Sequence, residues 1–199
     1  MKRIFDIIFS AAVIVFLSPV FLVIAILIKY DSEGAVFFCQ QRVGKNGQLF
    51  WIYKFRTMVK NHVPNDKLDY VKQNDLRITR LGRILRNTSL DELPQFLNAL
   101  KGDMSVVGPR PLHIQQVEYL TTNIMDFSRR HSVKPGITGM VQVSDMRSNV
   151  ETLEEQRARL MLDIEYVQIH NFGLDMHLVL RTIWTMVARY NVSAKIYTK

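Results

Sequence analysis

Ile7-Ile8-Phe9-Ser10-Ala11-Ala12-Val13-Ile14-Val15-Phe16-Leu17-Ser18-Pro19-Val20-Phe21-Leu22-Val23-Ile24-Ala25-Ile26-Leu27-Ile28 is a run of 22 residues without a charge, long enough to cross a bilayer as a helix. Asp6 precedes it and Lys29 follows it. Near the middle stands Ser18-Pro19. Proline lacks a backbone donor and its ring clashes with the carbonyl four residues back, so a kink is expected over residues 15–18. Ser18 is placed to hydrogen-bond a freed carbonyl and hold that kink. A straight span and a bent, re-entrant segment both fit these residues. Lys2 and Arg3 precede the run, and the other 24 of the 26 Lys and Arg follow it. That bias puts the bulk of the chain on the cytoplasmic side. A secretory signal fits less well, because the run is long for one and Lys29-Tyr30-Asp31 follows it instead of a small-x-small cleavage site.

The chain of 199 residues has room for one domain with a proper core and a short appendage. We divide it into a membrane segment over 1–29 and a domain over 30–199. The formal net charge of +8 points to anionic partners: phospholipid, nucleic acid or phosphorylated metabolites. The single cysteine, Cys39, excludes an intrachain disulfide and a cysteine zinc cluster. The five histidines, His62, His113, His131, His170 and His177, stand in no HExxH or CxxC context.

Beyond the apolar run, residues 35–38 and 49–55 read as short strands joined through an Asn46-Gly47 turn. Lys54 and Arg56 share a face if the second strand continues. Residues 61–74 are polar and read as a loop. Thr79 caps a short helix reaching Arg86, and a second helix covers 90–100, with Leu93, Phe96, Leu97 and Leu100 on one face. Val107-Gly108-Pro109-Arg110-Pro111 is extended or turning, because both prolines restrict their neighbours. A helix over 114–127, a loop over 134–139 and helices over 150–167 and 174–190 complete the chain. The last, with Trp184, Met186 and Val187 beside Arg181 and Arg189, suits either a membrane interface or the core.

The chemistry concentrates in Thr88-Ser89-Leu90-Asp91-Glu92-Leu93-Pro94-Gln95. Ser89-x-x-Glu92 is a capping box in form, in which Asp91 merely favours the helix dipole. Arg77, Arg80, Arg83 and Arg86 recur just upstream, and carboxylates that work on an anionic substrate need such cations or a metal. A spacing of three drifts about 60° per step round a helix, so the row does not form one patch. Lys54, Arg56, Arg110, Arg129 and Arg130 are further anion-binding candidates. Arg110 is the most specific, being held between Pro109 and Pro111 with its fork preorganised.

Taken in order, Ser18-Pro19, Gln41-Arg42-Val43-Gly44, Lys54-Phe55-Arg56-Thr57-Met58, Arg86 with Ser89 to Gln95, Val107 to Pro111 and Lys134-Pro135-Gly136-Ile137-Thr138-Gly139 resemble the monotopic phosphoglycosyl transferases, the bacterial sugar transferase family, over nearly the whole chain. The length is similar to the minimal form of that family. The resemblance implies a mostly helical α/β fold: a re-entrant membrane helix bent at Ser18-Pro19, and a compact, membrane-associated catalytic domain with a short β-hairpin on the cytoplasmic face of the bacterial inner membrane. It implies transfer of a sugar phosphate from a UDP-sugar to polyprenyl (undecaprenyl) phosphate with release of UMP, an early membrane step of glycoconjugate assembly. Asp91 would be the nucleophile and Glu92 its partner, both near Mg2+ as cofactor. Lys54, Arg56, Arg86, Pro109, Arg110, Pro111 and Arg129 would bind substrate. The implied partners are UDP-sugar, polyprenyl phosphate and the phospholipid membrane, with a homodimer left open and no nucleic acid. Two rivals are a membrane-tethered nucleic-acid binder, for which no RRM, KH or helix-turn-helix pattern is present, and a non-catalytic scaffold.

Overall fold

The structure, a computed structural model, describes residues 1–59, 75–144, 146 and 152–197, with side chains as far as Thr185 in the last helix. The loop expected over 61–74, the start of the helix expected at Val150, and the side chains of Met186, Val187 and Arg189 lie outside that set.

The apolar run folds as α1 (Lys2–Phe16) and α2 (Ser18–Asp31). The two meet at Leu17 with a bend of 61°. Pro19 falls in the first turn of α2, where its missing N–H has no helical acceptor to lose. Ser18 Oγ donates to the Val15 carbonyl at 2.8 Å. The expected kink and its serine brace are both present. No single helix among the described residues is long and apolar enough to cross a membrane, but the bent pair passes that test together.

Both ends of this pair are tied to the same body. Lys2 Nζ donates to Asp175 at 2.5 Å and to the Val107 carbonyl and Tyr166 hydroxyl at 3.1 Å. Arg3 donates to the Ala99 and Leu100 carbonyls. Asp6, buried, accepts from Ser105 Oγ and Val106 N, each at 2.9 Å. Phe5 and Phe9 pack against the cluster of Val106, Val107, Tyr166 and Leu178. At the other end, Ile24 and Ile28 of α2 pack with Phe55 and Leu85.

The hairpin pairs β1 (Phe37–Val43) with β2 (Leu49–Phe55), from Phe37 opposite Phe55 to Val43 opposite Leu49. The first strand therefore lies further along than 35–38 and takes in Arg42. The reason is the tight loop: Asn46 (φ 54°) and Gly47 (φ 78°) adopt left-handed conformations that reverse the chain in few residues, so pairing runs up to its edge.

Then come α3 (Arg80–Thr88), α4 (Gln95–Lys101), β3 (Ser105–Val107), α5 (Ile114–Asn123), β4 (Gly136–Thr138), α6 (Met140–Val143), α7 (Leu153–Ile169) and α8 (Phe172–Tyr197). Thr79 caps α3 as expected, accepting from Gly82 N at 2.9 Å. Three expectations need correction. Residues 90–100 are not one helix: a single 3-10 turn, Leu90–Glu92, precedes α4, because Pro94 cannot continue the ladder. Residues 134–139 are not all loop: β4 pairs in parallel with β3, Ser105 opposite Gly136 and Val107 opposite Thr138. A Cβ on Gly136 would stand 2.0 Å from Gly108 N, so glycine alone permits that approach. The helix from Ile114 ends at Asn123, before a 3-10 stretch over Phe127–Ser132. The fold is thus mostly helical, with two small two-stranded sheets.

Removing the Asp6 carboxylate leaves the buried Val106 N–H and Ser105 hydroxyl without their acceptor. Asp6→Ala is expected to lower stability by about 2–3 kcal/mol, and Ser105→Ala, which removes one donor only, by about 1 kcal/mol. Thermal unfolding of the purified protein in detergent checks this ranking; equal midpoints would refute it.

Candidate active site

Asp91 and Glu92 sit in the 3-10 turn between α3 and α4. Ser89, just before it, is left-handed (φ 60°) and its side chain makes no cap to the turn, so the Ser89–Glu92 capping box does not form. A capping box does form elsewhere, at Thr152 and Glu155 on α7. In a 3-10 turn successive side chains point about 120° apart, and the two carboxylates accordingly meet different surroundings. Glu92 Oε1 accepts from Lys54 Nζ at 2.7 Å and from Arg110 Nη2 at 2.8 Å. Asp91, only 8% exposed, accepts no hydrogen bond from the described residues.

Three segments bring these groups together. Strand alternation puts Lys54 on the face of β2 that carries Phe50 and Ile52, both buried. Arg86, in the last turn of α3, donates from Nε to Thr57 Oγ1 at 2.8 Å and lies within the field of Asp91. Arg110 comes from the segment after β3. There Gly136 N donates to the Pro109 carbonyl at 2.9 Å, and Gly108 N to the Thr138 carbonyl at 2.8 Å.

The electrostatics separate the pair. Burial and the neighbouring Glu92 raise the Asp91 carboxyl above its usual range, although Lys54, Arg86 and Arg110 pull the other way. Burial also opposes ionisation of Glu92, but Arg110 and Lys54 outweigh it by charge and hydrogen bond and hold Glu92 well below the carboxylate range. Glu92 in turn raises Arg110. Adjacent carboxylates with opposite shifts are the signature of divided chemical roles.

The bacterial sugar transferase family matches residues 1–189 of this chain. The chain belongs to that family. It is 42% identical over 183 residues to a UDP-glucose:undecaprenyl-phosphate glucose-1-phosphate transferase of Klebsiella pneumoniae, covering 92% of this chain and 39% of the relative. It is 40% identical over 192 residues to a protein of the same name from Caulobacter vibrioides, covering 96% of this chain and 71% of the relative. It is 38% identical over 192 residues to exopolysaccharide production protein PSS of Rhizobium leguminosarum bv. phaseoli, covering 95% of this chain and 96% of the relative. The chain therefore spans about two fifths of the length of the Klebsiella relative and nearly all of the Rhizobium one.

In this sugar transferase family member the structure brings Asp91, Glu92, Lys54, Arg86 and Arg110 together, with Pro109 and Pro111 flanking Arg110. It places Arg56 and Arg129 elsewhere. Arg56 donates to the Ile28, Ser32 and Glu33 carbonyls, satisfying the open end of α2; β2 stops at Phe55, so Lys54 and Arg56 are not held to one face. Arg129 pairs with Asp126 at 3.5 Å, both exposed, and Arg130 is buried and already paired with Asp163 at 2.7 Å, so neither is open to an anion at the dyad. Of the arginine row, Arg77 binds Asp75, Arg80 and Arg83 are exposed, and Arg86 alone of the four adjoins Asp91. Two nearby groups were not among the sequence candidates: Arg42, from the quartet at the end of β1, and His113. The charges acting on Arg42 are those of Arg110 and Glu92; those acting on His113 are Arg42, Lys54 and Arg110.

No group of three or more His, Cys, Asp or Glu converges among the described residues. A hard ion such as Mg2+ needs only one or two carboxylates, with waters and substrate phosphates completing the shell. The open Asp91 carboxylate beside Glu92 fits that oxygen-only pattern.

Burial, and Arg130 beside it, lower His131 to about 4, against about 6.5 in an unfolded chain. Between those values the unfolded chain takes up a proton that the folded chain refuses, so stability falls as pH drops through that window. His131→Gln is expected to flatten the dependence of the thermal midpoint on pH between about 6.5 and about 4; an unchanged slope would refute the assignment.

Proposed function

We propose that the chain moves a sugar phosphate from a UDP-sugar to polyprenyl phosphate and releases UMP. The observation that carries this reading is the division of labour at the dyad: a buried Asp91 carboxylate with no hydrogen-bond partner among the described residues, beside a Glu92 already clamped by Lys54 and Arg110. An Asp91 oxygen attacks the sugar-bearing phosphorus. The bond from that phosphorus to the bridging oxygen breaks, and UMP leaves with the electron pair. The resulting acyl phosphate keeps its transfer potential. An oxygen of polyprenyl phosphate then attacks the same phosphorus and frees Asp91, giving ping-pong kinetics.

Glu92 stays ionised and holds Lys54 and Arg110 where charge develops on the phosphoryl oxygens, the preorganised arrangement that lowers such barriers most. Arg86 acts on the Asp91 side. Mg2+, when bound, neutralises diphosphate and leaving-group charge, and Asp91 and Glu92 are the residues that would hold it. The names of relatives that act on UDP-glucose and, in Aeromonas hydrophila, on UDP-N-acetylgalactosamine support a UDP-sugar donor.

The same reading makes α1 and α2 a re-entrant membrane segment, with the domain on the cytoplasmic face of a bacterial inner membrane. Its support is twofold. Lys2, Arg3 and Asp6 at one end and Arg56 at the other fix both ends of the pair on one domain. Between them Ile8, Val15, Phe16 and Leu22 are each more than three-fifths exposed, an apolar surface that a bilayer would cover.

Asp91→Asn is expected to lower UMP release from UDP-glucose and polyprenyl phosphate by about 10³-fold or more with folding intact, the scale of losing a covalent catalyst. In the same assay EDTA should abolish wild-type activity and Mg2+ restore it. Near-normal turnover by the variant would sink the nucleophile assignment, and full activity in chelator the metal.

Topology is read by a cysteine on a short extension ahead of Met1, which leaves the Lys2 network intact, in a Cys39→Ser background. An impermeant maleimide should label it only after cells are opened. Labelling in intact cells would show a true span.

A further inference from the structure

The other buried or half-buried arginines have a clear employment. Arg130 meets Asp163 at 2.7 Å, Arg110 meets Glu92, and Arg3 and Arg56 cap helix ends. Arg42 does not. Its Nη1 reaches the Pro111 carbonyl at a long 3.4 Å, and its Nη2 donates to Gln40 Oε1 at 3.0 Å. Among the described residues its buried Nε has no partner and no carboxylate pairs with it. A guanidinium has five N–H donors in a fixed fork, so most of this one is unused. Burial and the like charge of Arg110 lower Arg42 to about 9, with only Glu92 opposing. Around the dyad, Lys54, Arg86 and Arg110 act on Asp91 by charge, and Arg42 lies within the field of Glu92 and Arg110.

We propose that Arg42 is a phosphoryl-binding residue, a second anion subsite beside Arg110 that takes phosphate oxygens of a substrate of the reaction proposed above. Lys54 and Arg110 are already engaged by Glu92, whereas a phosphate reaching Arg42 displaces no carboxylate. Its attachment to Pro111 places it next to Arg110 in the fold, so the two forks can share one diphosphate or serve two phosphates in turn. The segment Gln41-Arg42-Val43-Gly44 gains a role from this. Strand pairing to its last residue carries Arg42 to the site, and the Val43 N–H, donating to the Leu112 carbonyl at 3.2 Å, fixes β1 against the Arg110 segment.

The test uses the full chain in nanodiscs, as wild type, Arg42→Lys and Arg42→Gln. Inorganic pyrophosphate and UMP are titrated by thermal shift, and KM is measured for UDP-glucose and for polyprenyl phosphate. Loss of one charge-assisted contact should weaken binding roughly tenfold or more, with Arg42→Lys in between. Weaker pyrophosphate and UMP binding with a raised KM for UDP-glucose assigns Arg42 to the donor diphosphate. A raised KM for polyprenyl phosphate alone assigns it to the lipid phosphate. A folded Arg42→Gln protein with wild-type binding and both KM values unchanged overturns the proposal. So does a loss in kcat alone that Arg42→Lys does not rescue, which marks a structural pin on Pro111. If Arg42→Gln does not fold, the wild-type protein decides: pyrophosphate should slow modification of Arg42 by phenylglyoxal, followed by mass spectrometry, and no protection overturns the proposal. Pyrophosphate binding needs no turnover. Arg42-dependent binding in a protein that releases no UMP from any UDP-sugar would therefore sink the transferase reading and leave the subsite.

Discussion

Two residues of α1 reach the strand that carries the active-site loop. Asp6 accepts from Val106 N, and Lys2 donates to the Val107 carbonyl; Gly108, Pro109 and Arg110 follow directly. The first turns of the apolar helix and the segment presenting Arg110 are therefore one piece of structure. Burying the Asp6 charge is costly unless it is fully hydrogen-bonded, so the position of β3 relative to α1 is fixed within narrow limits. Lys2, Tyr166 and Asp175 extend that connection to α7 and α8 through a closed network. Whatever orients the helix pair thereby orients Arg110.

The dyad shows how two adjacent carboxylates coexist in a half-buried place. Two charges a few ångströms apart in a poorly screened environment repel by several kcal/mol, and the pair escapes by asymmetry. Glu92 takes Lys54 and Arg110 and is held well below the carboxylate range; Asp91 takes no donor among the described residues and its carboxyl is raised. The break at Ser89, the 3-10 turn and Pro94 together place them on different bearings. Pro94 is fully buried, so the turn is packed as well as conformationally restricted.

Much of this was legible in the sequence. Ser18-Pro19 announced the bend, because proline chemistry acts locally. The Thr79 cap and the hairpin turn at Asn46-Gly47 followed from residue type as well, whereas Arg110 beside the dyad followed from the family resemblance. What escaped depended on partners distant in the chain. Gly136 to Thr138 looks like a loop because three residues with a glycine carry no strand periodicity; it becomes a strand only against Ser105 to Val107. The Ser89–Glu92 box was a sound local inference, overridden when the chain turned left-handed at Ser89. Arg56 could not be separated from Lys54 without knowing that the end of α2 lay beside it, offering carbonyls. Arg42 was hidden because its strand was placed too early, which left it in a turn.

The two glycine-rich motifs, far apart in sequence, act as a single device. A Cβ on Gly108 would lie 2.4 Å from the Lys134 carbonyl, and one on Gly139 would lie 2.3 Å from the Gly108 carbonyl, so the two segments touch backbone to backbone. The Arg110 carbonyl is then gripped from the other side by Arg130 Nη2 at 2.8 Å, itself locked to buried Asp163. Fixing the main chain from both sides while the Arg110 side chain remains 44% exposed separates two requirements. The fork is preorganised, so little conformational entropy is lost on binding, yet it stays open to an anion arriving from water. Asp91 has the complementary design, a buried group on a packed turn. The segment that presents Arg110 is thus held by α1 through β3 on one side and by the Gly136 to Gly139 stretch on the other.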